Sequence, residues 1–456
     1  MKQVWDKLGG FLAKRGWLVA ALAALVVYVG LTAPLAYKHK EKLNSDAIAY
    51  ANRADYVARG QFAKSIDGYW SPVIAWNSAP LILAGVERLH ALRIVLCVWG
   101  AGFVVGYCAL LSRFLRLSPG WVALGGAVTA LSVAPVAVKQ VTPDLIMATC
   151  LVLYFLAVTR DDLLRNWRAQ VLAGGLGGLA YLAKAYALPV VLIHLPFTVL
   201  LRWLVERRRA RLETGDGAAT RPALWRGAAT AFVALVLIAG PWIALLSAKY
   251  GRFTFSTSAA RAHAYMGPQA DIARGLVKPV DDGEEEEEDA EAPGEDDPTQ
   301  RTAGNWSPFS SSEAFAHQMG VAASNFRKLW QHIGEYDLPL ASILSGRPIK
   351  PRITGGEDSV PPAPLLWIGE LPVNLSIIAL LLVPLFVLLV PMRTERWKLL
   401  WLVGTIGIYC SGLIMVWMRN RYLISVVQPL LLALVLTMAV QWCLPRKPEQ
   451  SGVRWA

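Results

Sequence analysis

Charge is what this chain has least of. Asp, Glu, Lys and Arg make up 17% of its 456 residues, against about a quarter in an ordinary soluble domain. Hydrophobic residues reach 55% and mean hydropathy is +0.40. A soluble enzyme of this length cannot bury so much apolar surface, so that class is excluded. Cysteine is scarce too: Cys97, Cys108, Cys150, Cys410 and Cys443 lie in or beside apolar runs with no CxxC pair. They read as small buried hydrophobes rather than a disulfide framework or a thiolate metal site. The six histidines, His39, His90, His194, His263, His317 and His332, show neither HxxxH nor HxH spacing, which argues against a structural metal site. There is no nucleotide-binding glycine fingerprint, no Walker sequence and no GxSxG elbow. Nucleic acid is a poor partner, because the arginine clusters sit just beyond hydrophobic runs and carry no recognition motif.

What is present is a series of apolar runs near the length a bilayer crossing requires. About ten crossings are predicted, at 17–36, 93–112, 121–138, 143–159, 170–183, 186–203, 225–247, 373–391, 399–418 and 423–442. The basic segment Met1–Arg15 leads into the first run without a small-residue cleavage site, so that run is expected to be an anchored helix and not a cleaved signal. The fold expected is an all-α polytopic membrane protein.

The charges that do occur orient it. Arg113 with Arg116, Arg160 with Arg165 and Arg168, the stretch Arg202–Arg226, Arg393 with Arg396 and Lys398, and Arg446 with Lys447 all fall on one side. That side is cytoplasmic by the positive-inside rule, giving N-in and C-in in a plasma or inner membrane. Lys38, Lys40 and Lys42 pull the other way and are outnumbered. Two long segments, 37–92 and 248–372, are then left on the outer side, where chemistry is expected. The net charge is +12, yet 12 of the 33 acids lie between Asp281 and Asp297 with no Lys or Arg among them. The segment 281–297 is self-repelling low complexity and is expected to be disordered. The basic excess elsewhere suits a membrane surface or a phosphorylated lipid.

Candidate residues follow from that topology. Asn44–Arg59 has a capping residue, no internal Gly or Pro, and Gly60 just beyond it, the pattern of a helix lying at the interface, with Asp46 and Tyr50 on one face. Asp144 follows Thr142 and Pro143 in a tight outer turn between two apolar runs, where ionisable groups are costly and usually functional. Lys184 interrupts an apolar stretch at an outer turn, and Arg419, Arg421 and Tyr422 stand at another; guanidinium groups pair bidentately with phosphate oxygens. Tyr69 and Trp70 could form stacking walls for sugars or isoprenoid chains. Each has a bland counterpart: helix-dipole complementation for the acids, snorkelling for Lys184, interfacial anchoring for the arginines and aromatics. Asp46 and Asp144 could share a divalent cation, and no cofactor is firmly implied.

Together, DAIAYANRADYVARGQF with GYWSPV in the first outer loop, VTPDLIMATCLVLYFLAV, GGLAYLAKAYALPVV and RNRYLISVVQPLL resemble the GT-C superfamily of polyprenyl-phosphate-sugar-dependent glycosyltransferases, which includes protein O-mannosyltransferases and the lipid A aminoarabinose transferase. The resemblance covers residues 1 to about 250 and is weaker beyond. It implies a GT-C-like catalytic module over 1–250 with outer loop 37–92, an outer-face segment 251–372 concerned with the acceptor, and C-terminal helices with a cytoplasmic tail over 373–456. It also implies a multi-pass membrane enzyme transferring sugar from a polyprenyl-phosphate donor to a lipid, glycan or protein acceptor. Asp46 matches the family's catalytic base, and Ala47 stands where a second acid is often found. Asp144, Lys184, Arg421 and Tyr422 match its other motif positions. A transporter of lipid-linked sugars and a non-catalytic membrane scaffold are the alternatives.

Overall fold

The computed structural model describes residues 2–40, 44–214, 224–258, 262, 307–334, 396–416 and 422–443. The acidic run 281–297, the crossing expected at 373–391, and Arg419 and Arg421 lie outside the described residues. Among the described residues the regular structure is entirely helical. The helices are α1 (Lys2–Lys38), α2 (Ser45–Ala58), α3 (Phe62–Ser65), α4 (Val73–Leu83), α5 (Arg88–Ala109, continued by a π turn to Phe114), α6 (Pro119–Lys139) and α7 (Asp144–Val158). There follow α8 (Trp167–Ala183), α9 (Ala187–Thr214), α10 (Leu224–Tyr250), α11 (Ser312–Gly334), α12 (Arg396–Met415) and, after a π turn at Leu423–Val427, α13 (Gln428–Cys443).

Seven of these helical stretches are long and apolar enough to cross a membrane: Gly16–Lys38, Arg88–Phe114, Pro119–Lys139, Ala187–Arg208, Gly227–Tyr250, Arg396–Met415 and Leu423–Gln441. The chain is therefore read as a multi-pass membrane protein. The runs expected at 143–159 and 170–183 form α7 and α8, of 15 and 17 residues, shorter than a full crossing. Both are largely buried within the bundle. Two helices meet just before His90: α4 closes at Gly85, whose φ of +88° suits only glycine, and α5 starts afresh where the Glu87 carboxylate accepts from the amides of Leu89 and His90.

Side-by-side packing runs α1, α6, α5, α7, α8, α10, with α9, α12 and α13 completing the bundle. Small residues permit the closest approach. At Gly174 in α8 an added Cβ would lie 1.9 Å from the backbone oxygen of Ala231 in α10, so no other residue fits. Between α7, α9 and α12 the contact is polar. Tyr154 and Thr405 flank the buried His194 ring, at 3.0 Å from Nδ1 and 2.9 Å from Nε2, and the Trp401 indole donates to Thr198 at 2.9 Å. Such interhelical bonds hold together helices that gain little from the hydrophobic effect inside lipid.

The two ends of the bundle differ. At one, Arg116 and Arg202 reach Asp161 at 3.6 and 3.5 Å, Arg165 reaches Glu206 at 3.5 Å, and the Arg113 guanidinium lies 4.9 Å from the Trp17 ring. At the other end lie α2–α4, the α6–α7 and α8–α9 turns, the end of α10 and the start of the α13 segment.

Candidate active site

That second end is assembled by contacts between separate loops. Asn44 stands at the N-terminus of α2, but its side chain makes no cap to its own helix. Instead Oδ1 accepts from the Val141 amide at 3.2 Å and Nδ2 reaches the Val141 carbonyl at 3.5 Å. The first outer loop is thereby fixed to the α6–α7 turn three residues before Asp144. Asp144 opens α7 and is 1% exposed. Its Oδ1 accepts from the ammonium of Lys184, the residue between α8 and α9. The same ammonium lies 4.3 Å from the centre of the Tyr422 ring, a cation–π contact.

The tyrosines continue the connection. Tyr186 donates to the Tyr409 carbonyl, and Tyr409 donates to the Tyr422 carbonyl at 3.2 Å. The Tyr186 and Tyr409 rings meet edge to face at 5.4 Å. Asp144, Lys184 and Tyr422, distant in sequence, thus share one ionic and aromatic cluster.

On α2, the spacing of four places Asp46 and Tyr50 on one face. Asp46 is half-buried and Tyr50 buried. Burial first, then the carboxylates of Asp46 and Asp144, hold the Tyr50 phenol well above the usual tyrosine value, against an opposing effect of Arg53. Both acids therefore disfavour loss of the Tyr50 proton. The Tyr50 ring meets Trp70 edge to face at 5.1 Å, and Trp70 meets Tyr69 at 4.7 Å.

Arg53 and Asp67, which the sequence did not single out, hold this aromatic wall. Asp67 Oδ1 accepts from the amides of Tyr69 and Trp70 at 2.7 and 2.9 Å, while Oδ2 accepts from the Arg53 guanidinium. Arg53 also stacks 5.4 Å from the Trp70 ring. Both residues are buried. The adjacent Gly68 is pinned from the far side: its amide donates to the Tyr250 hydroxyl at 3.0 Å, and its carbonyl accepts from Thr257 at 2.8 Å.

The structure therefore brings together Asp144, Lys184 and Tyr422, ties the start of α2 to the α6–α7 turn through Asn44 and Val141, and joins Tyr50, Trp70 and Tyr69 in one aromatic wall. Arg419 and Arg421 lie outside the described residues. Among those described, no three His, Cys, Asp or Glu side chains converge. An open groove of about 600 Å³ lies on the other face of α2, between Asp55, Arg59 and the Val86–Leu89 corner. It does not include Asp46 or Tyr50.

No protein-family model matches the chain, and no curated protein matches it. Among solved structures the chain is similar to ArnT from Cupriavidus metallidurans bound to undecaprenyl phosphate. The identity is 15% and the TM-score 0.39, covering 93% of this chain and 77% of that one. It is also similar to the archaeal oligosaccharyltransferase AglB from Archaeoglobus fulgidus in complex with an inhibitory peptide and a dolichol-phosphate. There the identity is 13% and the TM-score 0.47, covering 96% of this chain and 53% of that one. The chain thus spans about half the length of the archaeal enzyme.

Proposed function

We propose that this chain is a membrane glycosyltransferase of the GT-C type, moving a sugar from a polyprenyl-phosphate donor to an acceptor hydroxyl or amine with inversion at the anomeric carbon. The observation that carries the reading is the buried Asp144–Lys184 pair against Tyr422, at the end of a membrane bundle to which the Asn44–Val141 bonds also fix α2 with its Asp46. A lipid-linked substrate can reach that end sideways from the bilayer. The arginine-rich opposite end supports an outward-facing site in a plasma or inner membrane.

In the reaction, Asp46 takes the proton of the acceptor hydroxyl or amine as that oxygen or nitrogen attacks the anomeric carbon. The bond from that carbon to the phosphate oxygen breaks, and its electron pair leaves with the polyprenyl phosphate. A phosphate monoanion or dianion needs little acid assistance, so fixed positive charge does most of the work. Lys184 supplies it: an ammonium has three donors, and Asp144 occupies one while keeping the group in place. Arg419 and Arg421 are assigned to the same phosphate from the sequence. Tyr69 and Trp70 form a stacking wall for sugar or isoprenoid. The acceptor, whether lipid, glycan or protein, is assigned to the outer segment 251–372.

The test is reconstitution of the purified chain in liposomes with a radiolabelled polyprenyl-phosphate sugar and cell-envelope acceptors. Label appearing in a new glycoconjugate supports transfer. Label crossing the bilayer on unchanged donor supports a transporter and overturns the enzyme.

A further inference from the structure

Helix α11 is the one long described helix that belongs to the outer segment, and its seat is unusual. The last carbonyls of any α-helix lack intrahelical partners. At the end of α12 they are met by two side-chain amides from α11: Gln318 donates to Met415 O at 2.7 Å, and Asn325 donates to Ile414 O and Val416 O at 3.0 and 3.3 Å. Asn325 is fully buried and Gln318 8% exposed. Asn325 faces two acceptors, so its amide nitrogen must point at them and both of its N–H groups are committed. Ala314, Ala322 and Leu329 complete the buried face.

Six residues beyond Val416 the chain reaches Tyr422, whose ring lies against the Lys184 ammonium. Tyr409, in α12 itself, donates to the Tyr422 carbonyl. The end of α12 is therefore held from outside by α11 and tied from inside, through Tyr409, to Tyr422.

We propose that Gln318 and Asn325 are positioning residues: through their grip on three consecutive carbonyls at the end of α12, the outer segment sets how firmly the Lys184–Tyr422 pair holds a polyprenyl phosphate. The ligand half of this inference rests on the proposed function; the mechanical half does not. Gln318 and Asn325 touch neither donor nor acceptor, and they act on the site only through the backbone of α12. Loss of their donors frees the start of the α13 segment while leaving Asp46, Asp144 and the core of the bundle intact.

The experiment compares the full chain in nanodiscs with the double variant Gln318→Glu/Asn325→Asp, which keeps side-chain shape and removes the donors, and with Ser324→Ala, an exposed neighbour. Hydrogen exchange is read over residues 422–427, and undecaprenyl phosphate is the binding probe. The expected result is faster exchange at 422–427 with the rest of the bundle unchanged. Undecaprenyl phosphate should bind about tenfold more weakly, the worth of one to two hydrogen bonds. Ser324→Ala should match the parent. If the double variant does not fold, Gln318→Glu alone should show the same pattern at smaller amplitude. A folded variant with unaltered exchange at 422–427 overturns the proposal, as does altered exchange with unaltered binding. If the parent chain binds no undecaprenyl phosphate, the proposed function fails, and exchange at 422–427 still decides the positioning role.

Discussion

The Lys184 ammonium donates to Oδ1 of Asp144, joining the α8–α9 turn to the first residue of α7. Asp144 is almost completely buried and Lys184 is about one-fifth exposed. Removing one partner from such a pair strands the other charge, whereas removing both is far milder. Lys184→Met is expected to destabilise the protein by roughly 3 kcal/mol, and Lys184→Met/Asp144→Asn by much less. Thermal unfolding in detergent measures both. Equal losses in the single and double variants would contradict the pairing.

Asn44 joins two loops and does not cap its own helix. Asn44→Ala removes both bonds to Val141 and should cost about 1 kcal/mol of stability. Its effect on sugar transfer should be larger, about tenfold in kcat, because it loosens the placement of Asp46 relative to Asp144. Steady-state kinetics with a fixed donor check this. A stability loss with unchanged kcat would place Asn44 outside the positioning of the acids.

The wall formed by Tyr69 and Trp70 depends on Asp67. Asp67→Asn retains an oxygen for the two backbone amides, while Asp67→Ala removes it and strands the Arg53 guanidinium. Donor KM should rise in the order parent, Asp67→Asn, Asp67→Ala. Equal rises in the two variants would mean that the charge on Asp67, which both remove, and not the bonds to Tyr69 and Trp70, is what matters.

Tyr50 makes an alkaline prediction. Its phenol is held well above the ordinary value of 10.0, so above that pH the unfolded chain releases this proton while the native protein keeps it. The resulting stability is complete below the unfolded value and is lost as pH rises through the native one. Tyr50→Phe should therefore lose less stability than the parent between neutral pH and about pH 12, measured by chemical unfolding. An identical decline in both proteins would show that Tyr50 does not titrate differently on unfolding.

Much of the helical plan was legible because apolar length is a direct physical requirement of the bilayer. Asp144, Lys184 and Tyr422 stood out for the same reason, as polar groups at the ends of apolar runs. Asn44 was legible as a helix start, but its partner at Val141 was not, since only the folded loop brings the two together. Arg53 and Asp67 carry no spacing signal that pairs them; their bond depends on the chain reversing after Gly60, where φ is +73°. In α11, Gln318 and Asn325 fall on the buried face and break the apolar periodicity by which a packed helix is normally read.

The central claim is that Asp46 removes the acceptor proton, and one substitution addresses it most directly. With purified protein and a saturating polyprenyl-phosphate sugar, Asp46→Asn should lower the single-turnover transfer rate by about 10²–10⁴ while undecaprenyl phosphate binds as it does to the parent. A folded Asp46→Asn protein that transfers sugar at the parent's rate would contradict the account.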